Sequence, residues 1–137
     1  MPTANCKLPI VNCQLINMGS YKDLEVYKKA YASAMEIFEI SKSFPAEEKY
    51  SLTDQVRRSS RSVCANLGEA YRRRKYPAHF LSKLSDSDAE NTETEIWIQF
   101  AFDCKYINET NFRELSEKSS EVGRIIGYMI NHPDKFL

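Results

Sequence analysis

Seven basic side chains lie within one short stretch of the sequence, and they are the residues best suited to bind a ligand. They are Arg57, Arg58, Arg61, Arg72, Arg73, Arg74 and Lys75. Guanidinium groups bind phosphate or carboxylate oxygens through paired hydrogen bonds, so a row of arginines suits a nucleic-acid backbone or an acidic protein surface. On an α-helix, the four arginines from Arg57 to Arg72 lie within a sector of about 100°. That sector is opposite Val56, Val63 and Leu67, so we predict a basic face behind an apolar stripe.

The charges of the chain are divided between two neighbouring stretches. Residues 53–75 contain seven basic and two acidic side chains, whereas residues 77–106 contain six acidic and two basic ones. The formal net charge is +0, so a site for a polyanion must be a local patch. For Arg57, Arg58 and Arg61 two interpretations remain open: contact with RNA phosphates, or ion pairs with the acidic stretch, within one chain or between subunits. The charges from Arg72 to Lys75 favour an anionic ligand, because four consecutive side chains cannot all face one partner helix.

Other kinds of site find little support in the residue types and their spacing. The four cysteines form no Cys-x-x-Cys pair, and His79 and His132 are the only histidines, so the usual zinc spacings are absent. The sequence has no Glu-x-x-His pair for a di-metal site, no phosphate-binding glycine loop, and no serine with His and Asp arranged to activate it. We therefore expect a non-enzymatic protein with no metal and no cofactor.

The N-terminus and the apolar segments bear on the cellular location. Pro9, Asn12 and Gln14 interrupt the N-terminal apolar residues, which makes this segment a poor secretory signal. The longest apolar stretches, such as Ile125 to Ile130, are far too short to span a membrane. These features indicate a cytoplasmic protein with reduced thiols and no membrane partner.

Four amphipathic helices are predicted from apolar residues that recur at steps of three and four. They run from about Lys22 to Lys42, Ser51 to Lys75, Pro77 to Ile107, and Thr110 to Asn131. Short connections between long helices favour an all-α, antiparallel up-down-up-down four-helix bundle. We expect this domain to occupy residues 21–137. Residues 1–20 have few charges, contain a near-repeat and end near a second methionine, Met18, so we expect an N-terminal tail outside the fold.

The inward faces of the first two helices follow from their periodicity. The first helix places one apolar stripe toward the core, made of Leu24, Tyr27, Tyr31, Ala34 and Phe38. The second helix places another, made of Val56, Ser60, Val63, Leu67 and Ala70. We expect Ser51 to cap the second helix through its hydroxyl.

The third helix has an unusual pattern at its centre. The heptad of Leu81 and Leu84 continues through Asp88, Asn91 and Glu95 before the apolar pattern returns. Either the inward face rotates to Ser85, Ala89, Thr92 and Ile96, or the acidic residues meet arginines across an interface. The stretch from Ile96 to Phe102 is apolar nearly all round, which a four-helix monomer would leave partly in water. We therefore predict a homo-oligomer whose interface includes Ile96, Trp97 and Phe100.

Several motifs together resemble a known family. They are Tyr21-Lys22-Asp23-Leu24-Glu25-Val26-Tyr27, Phe44-Pro45-x-x-Glu48-x-Tyr50-x-Leu52-Thr53-x-Gln55-x-Arg57-Arg58-Ser59, Asn66-x-x-Glu69, Glu93-Thr94-Glu95-Ile96-Trp97 and Tyr106-Ile107. In these motifs the chain resembles the bacterial four-helix bundle family of 23S rRNA intervening-sequence proteins, over about residues 21–131. Many relatives have Gly-Tyr where this chain has Lys105-Tyr106, and Glu-Gly where it has Glu69-Ala70, which are changes on the scale of packing.

The resemblance implies an antiparallel four-helix bundle that forms a ring-shaped homopentamer. It also implies reading frames located within insertions in 23S rRNA genes. Accessory proteins of diversity-generating retroelements are similar in fold and bind nucleic acid and a reverse transcriptase, which makes a reverse transcriptase a further candidate partner by analogy. We expect the seven basic residues to bind nucleic acid, in particular structured RNA. The alternative is an interaction scaffold whose arginines are used in subunit contacts.

Overall fold

The computed structural model describes residues 19–137, and four α-helices account for most of that range. We name them α1 (Glu25–Ser41), α2 (Leu52–Arg72), α3 (Pro77–Asp103) and α4 (Glu109–Asn131). Short 3₁₀ turns occupy Tyr21–Asp23, Ala46–Glu48 and Pro133–Lys135, and the described residues include no β-strand. The prediction of an all-α, four-helix protein is confirmed. Residues 1–18 of the predicted N-terminal tail lie outside the described residues.

The first half of the chain shows three differences from the predicted helix ends. α1 begins at Glu25 instead of Lys22, because the extended backbone of Leu24 separates the helix from the preceding 3₁₀ turn. The predicted cap by Ser51 is wrong: its hydroxyl donates to Glu48 Oε1 at 2.6 Å, and the same oxygen accepts from the N–H of Leu52 at 3.2 Å. α2 ends at Arg72 instead of Lys75, ahead of the extended Tyr76 that precedes a proline.

α3 ends four residues before the predicted Ile107. The N–H of Tyr106 donates to the carbonyl of Ala101 at 2.8 Å, and Lys105 has a φ of 66°. This is the geometry of a helix end that closes through a left-handed residue, a position where glycine is usual. The chain therefore turns at Lys105, and Ile107 is buried in the loop instead of extending the helix.

Side-chain pairs between neighbouring helices give the direction of each helix. Lys83 and Ser87 of α3 contact Glu69 and Val63 of α2, so residue numbers fall along α2 as they rise along α3. Asn91 with Ser119, and Phe102 with Phe112, show the same reversal between α3 and α4. Lys29 with Glu121, and Glu36 with Lys118, show it between α1 and α4. These neighbouring helices therefore run in opposite directions.

The buried core consists of two apolar clusters at opposite ends of the helices. One cluster includes Leu67, Phe80 and Ile126, and the other includes Val56, Ile98 and Leu115. Burial of side chains of this size contributes about 1.5–3 kcal/mol each relative to exposure, so both clusters stabilise the bundle. The inward stripe predicted for α2 is confirmed, because Val56, Ser60, Val63, Leu67 and Ala70 are all buried.

Between the two clusters lies a group of small buried polar side chains, which we call the polar layer. It consists of Ser33, Ser59, Ser60, Ser87, Asn91, Thr94 and Ser119. Thr94 donates to the Ser59 hydroxyl at 2.8 Å, and Ser87 donates to the carbonyl of Val63 at 2.9 Å. These bonds offset the cost of removing the hydroxyl groups from water and join α2 to α3.

The buried face of α3 differs from both inward faces that we predicted for the third helix. The buried face of α3 is a regular heptad: Phe80, Leu84, Ser87, Asn91, Thr94, Ile98 and Ala101. Of the three polar positions predicted for the seam, only Asn91 is buried; Asp88 is half-buried and Glu95 is exposed. The alternative rotation is also wrong, because Ser85, Ala89, Thr92 and Ile96 are all exposed. The real face includes Ser87 and Thr94, small hydroxyl side chains that neither predicted phase contained.

Candidate nucleic-acid interface

Arg58 is the one predicted binding residue with carboxylate partners in the described part of the chain. Its NH1 lies 3.3 Å from Glu90 Oε1, its NH2 donates to Glu93, and its Nε donates to Gln55 at 3.2 Å. The hydrogen bond to Glu90 is the main cause that raises the pKa of Arg58. The interpretation that pairs the first arginines with the acidic third helix is therefore correct for Arg58, within one chain.

Arg57 and Arg61 contact an aromatic ring of α1 instead of an acid. The Arg57 guanidinium lies 4.9 Å from the centre of the Phe38 ring, and that of Arg61 lies 5.8 Å from it. Arg57 Nε also donates to the Ser41 hydroxyl at 2.7 Å, and its NH2 donates to the carbonyl of Phe38 at 3.4 Å. The half-buried Arg57 is held in place by these bonds, and Arg61 is exposed to solvent. Neither forms an ion pair with a described carboxylate, so pairing with α3 within one chain is wrong for both, and pairing between subunits stays a prediction.

The basic residues that follow α2 line an open cleft at one end of the bundle. The cleft has a volume of about 540 Å³ and is lined by Tyr71, Arg72, Arg74, Lys75 and Leu137, with no acidic side chain. Arg74 lies 3.8 Å above the Tyr71 ring, and its Nε donates to the Tyr71 carbonyl at 2.9 Å. These contacts hold the guanidinium of Arg74 at the cleft, where cations also interact favourably with the helix dipole.

The remaining predicted residue, Arg73, contacts a histidine at the start of α3. Its NH1 lies 3.2 Å from Nδ1 of the exposed His79. Removing Arg58 from the predicted set leaves the group that we call the basic surface: Arg57, Arg61, Arg72, Arg73, Arg74 and Lys75. No carboxylate in residues 19–137 forms an ion pair with any of these six cations. Arg61 and Arg72 are about 16 Å apart along α2, so the basic surface extends along most of one helix.

Aromatic side chains of α1 and of the 3₁₀ turn before it lie beside the basic surface, and the sequence interpretation assigned the three from α1 to the core. We call Tyr21, Tyr27, Tyr31 and Phe38 the aromatic strip. Tyr27 is half-buried and packs against the core, as predicted. Phe38 is half-buried and Tyr31 is 52% exposed, so the predicted inward stripe is wrong for these two residues. The buried face of α1 is instead made of Val26, Ala30, Ser33, Ala34, Ile37 and Ser41. In the sequence, the small residues Ala30 and Ala34 indicate this buried face, because small side chains allow close packing of helices that bulky rings would prevent.

Comparison with known proteins identifies the family of this chain. The sequence model of the family described as "23S rRNA-intervening sequence protein" matches residues 22–128, which is more than half of the chain. The chain belongs to the 23S rRNA-intervening sequence protein family. This result confirms the resemblance found in the sequence motifs.

A solved structure supports the same assignment for this intervening-sequence protein. It is a protein of unknown function from the S23 ribosomal protein family of Bacteroides thetaiotaomicron. The two chains are 27% identical, with a TM-score of 0.71, and the similarity covers 77% of this chain and 95% of the other. No match was found among curated proteins.

The predicted oligomer interface of this family member lies on α3. Ile96 is 48% exposed and Phe100 is 53% exposed, and the half-buried Trp97 ring lies 5.9 Å from that of Phe100. We call these three residues the apolar patch. Trp97 and Phe100 also line a groove of about 480 Å³ together with Glu48, Ser51, Leu52, Gln55 and Cys104. That a second subunit covers the patch stays a prediction.

Sequence reasoning also missed a contact that joins the loop before α2 to the loop after α3. Tyr106 donates its hydroxyl to Glu48 Oε2 at 2.8 Å, and its ring lies 5.5 Å from that of Phe44. Hydrogen bonds from Ser51, Tyr106 and the N–H of Leu52 lower the pKa of Glu48. The hydrogen bond to Glu48 is the main cause that raises the pKa of Tyr106 to about 12. The motif Phe44-Pro45-x-x-Glu48 contains two residues of this contact, but their partner, Tyr106, lies far along the chain.

The described residues contain no group of three or more His, Cys, Asp or Glu side chains placed to hold a metal ion. Burial raises the pKa of the Cys64 thiol to about 11, so this thiol is protonated and unreactive near neutral pH. None of the described helices has the length and apolar content that crossing a membrane requires.

Proposed function

We propose that this protein binds structured RNA through its basic surface, mostly by contacts with phosphates. The observation that carries the proposal is that six cations, along α2 and directly after it, form no ion pair with a carboxylate within residues 19–137. Arginine groups in such an arrangement neutralise phosphates and position a backbone without reading its sequence. The family name refers to sequences that interrupt 23S rRNA, which makes fragments of that RNA the first probes to use.

The cleft at the end of α2 supports the same proposal through its charge and its shape. Arg72, Arg74 and Lys75 line it together, and none of them forms an ion pair with a described acid. Arg74 uses its Nε for the Tyr71 carbonyl, which leaves its terminal NH₂ groups available for a bidentate contact with phosphate. The proposed action is binding in the cytoplasm, without a catalytic step.

The salt dependence of RNA binding tests this proposal. Affinity for a 23S rRNA fragment should fall steeply as salt rises, because each neutralised phosphate releases counterions. Replacing Arg72, Arg73 and Arg74 together by alanine should flatten the slope of log affinity against log salt by about two to three. Fluorescence anisotropy across a salt series measures the slope, and size exclusion shows whether the variant keeps its assembly.

Arg58→Ala is the matched control in the same helix. Glu90 and Glu93 already neutralise Arg58. Its removal should therefore change the slope of log affinity against log salt by less than about half of the change that one lost phosphate contact causes. The proposal is overturned if no 23S rRNA fragment or generic duplex RNA binds at low salt. It is equally overturned if Arg58→Ala flattens the slope as much as the triple variant.

A second candidate function rests on the apolar patch. Exposed Ile96 and Phe100 lie one helical turn apart beside Trp97, and contiguous apolar surface of this kind marks protein interfaces. We propose that the patch joins copies of this chain, so that the protein also acts as an oligomeric scaffold. A closed ring would explain how one patch is covered in every subunit, and the resemblance implies five subunits.

Light scattering coupled to size exclusion tests the scaffold. The expected mass is five times that of the 15.9 kDa chain, and Phe100→Glu should reduce it to the monomer mass. Tyr50→Glu is the control, because Tyr50 is 84% exposed and outside the patch. A wild-type mass near 15.9 kDa at micromolar concentration would exclude the oligomer.

A further inference from the structure

The aromatic strip and the arginines Arg57 and Arg61 of α2 lie along the junction of α1 and α2, a surface that we call the groove. The Tyr21 and Tyr27 rings are 5.1 Å apart, and those of Tyr27 and Tyr31 are 6.0 Å apart. Phe38 lies under Arg57 and Arg61 of α2. Tyr31 is placed between Tyr27 and Phe38 on the same face of α1, because the steps from 27 to 31, 34 and 38 follow the helical period. Its half-exposed ring therefore lies along the stretch of α2 that presents Arg61.

Tyr21 closes the other end of this groove. A Cβ added to Gly68 of α2 would lie 3.6 Å from Tyr21 Cδ2, which is ordinary van der Waals contact. Burial is the main cause that raises the pKa of Tyr27, and Cys64 of α2 adds to the shift. Tyr21 and Tyr27 thus contact α2, whereas the Tyr31 side chain is 52% exposed.

Glu36 and Glu39 of α1 pair with lysines and not with Arg57 or Arg61. Glu36 pairs with Lys118 of α4, and Glu39 pairs at 2.9 Å with Lys42, whose Nζ lies 4.7 Å from the centre of the Phe38 ring. Arg57 and Arg61 therefore give the groove a positive charge that no described carboxylate neutralises. An exposed aromatic ring beside an unneutralised arginine is the combination that single-stranded nucleic acids bind, by base stacking and phosphate contact.

We propose that this groove binds an unpaired stretch of RNA, with a base stacked on Tyr31 and an adjoining phosphate bound by Arg61. The inference rests on the proposed function and adds the kind of RNA structure that is recognised. A duplex satisfies phosphate contacts but offers no free base face to the ring, whereas loops, bulges and ends do. The groove therefore prefers unpaired nucleotides.

The length of the site follows from the geometry of α2. Arg61 and Arg72 lie about 16 Å apart on nearly the same face of the helix. A stacked strand advances about 3.4 Å per nucleotide, so about five nucleotides reach from the groove to the basic cleft. This length is within the range of about 4–16 nucleotides that single-strand-binding domains occupy.

The test compares single-stranded and duplex RNA of about ten nucleotides, a length that covers the site. Tyr31→Leu removes the ring and keeps an apolar side chain, and it should weaken single-strand binding about 5- to 100-fold while leaving duplex binding within about twofold. Tyr31→Phe keeps the ring face and should bind like the wild type. With the wild-type protein, a single strand containing 2-aminopurine should lose fluorescence on binding, because stacking on the ring quenches it.

Tyr50→Leu is the matched control, because this tyrosine is also exposed and beside a cation, Lys49, but lies outside the groove. Its single-strand affinity should be unchanged. If Tyr31→Leu has no effect, or weakens single-strand and duplex binding equally, the stacking proposal is overturned. The phosphate-binding function stands in that case if the Arg72, Arg73 and Arg74 variant still loses affinity for both probes. If the wild-type protein binds neither probe at low salt, both proposals fail.

Discussion

Replacing Asn91 by alanine should destabilise the bundle strongly, although the residue is polar and lies at the centre of α3. Its Nδ2 donates to the Ser119 carbonyl at 2.9 Å, and its Oδ1 accepts from the Ser119 hydroxyl at 3.0 Å. Asn91 is 6% exposed and Ser119 is 2% exposed, so water replaces neither bond easily. The variant loses two buried hydrogen bonds at about 1 kcal/mol each and leaves buried polar atoms unpaired. We therefore expect the free energy of unfolding to fall by about 2–4 kcal/mol.

Urea and thermal unfolding, followed by circular dichroism at one fixed protein concentration, measure this loss. For a chain of this length about 1 kcal/mol corresponds to about 4 °C, so the melting temperature should fall by about 8–16 °C. Thr92→Ala is the control, because Thr92 is the exposed neighbour on the same helix, and it should shift stability by less than about 0.5 kcal/mol. Equal losses for the two variants would refute the assignment of Asn91 as the link between α3 and α4.

A double-mutant cycle with Ser119→Ala adds a second measurement. Since the two side chains bond to each other, the double variant should lose less stability than the sum of the single variants, with a coupling of about 1 kcal/mol. Additive losses would show that each residue acts through other contacts.

Two further predictions concern the loops beside α2 and α3. Because hydrogen bonds lower the pKa of Glu48, its stabilising effect is complete above the ordinary Glu pKa of about 4.3 and is lost as pH falls through the lowered value. The melting temperatures of Glu48→Gln and the wild type should therefore differ at pH 7 and converge in acid, and a difference independent of pH would contradict this. Lys105→Gly should raise stability by about 1 kcal/mol in urea unfolding, because glycine adopts the φ of 66° without strain; a loss would show that the Lys105 side chain makes a stabilising contact.

The sequence predicted the helices well because the signals that define them are local. α3 begins at Pro77 as expected, and α4 ends at Asn131, two residues before Pro133. These boundaries follow from the backbone of proline, which fixes its own φ and restricts the preceding residue. The end of α3 was missed because Lys105 adopts a left-handed conformation that usually indicates glycine.

The inward faces were harder to predict where polar and apolar residues share a helix. α2 has one clear apolar stripe, and all five residues predicted for it are buried, although Ser59, Cys64 and Tyr71 are buried as well. α3 buries Ser87, Asn91 and Thr94, which are inward only because Val63, Ser59 and Ser119 of neighbouring helices accept or donate their hydrogen bonds. These partners lie 24 to 35 residues away along the chain, so the local periodicity of α3 does not indicate them.

The sequence alone determined that this chain forms four helices, that its second helix is basic and that its third is acidic. Only the tertiary structure decided which charges neutralise each other. Packing of α2 against α3 brings Glu90 and Glu93 to Arg58, whereas Arg61, one helical turn further along, faces Phe38 of α1 instead. Charge neutralisation depends on distances of a few ångströms between side chains, and only the packing of one helix on another sets those distances.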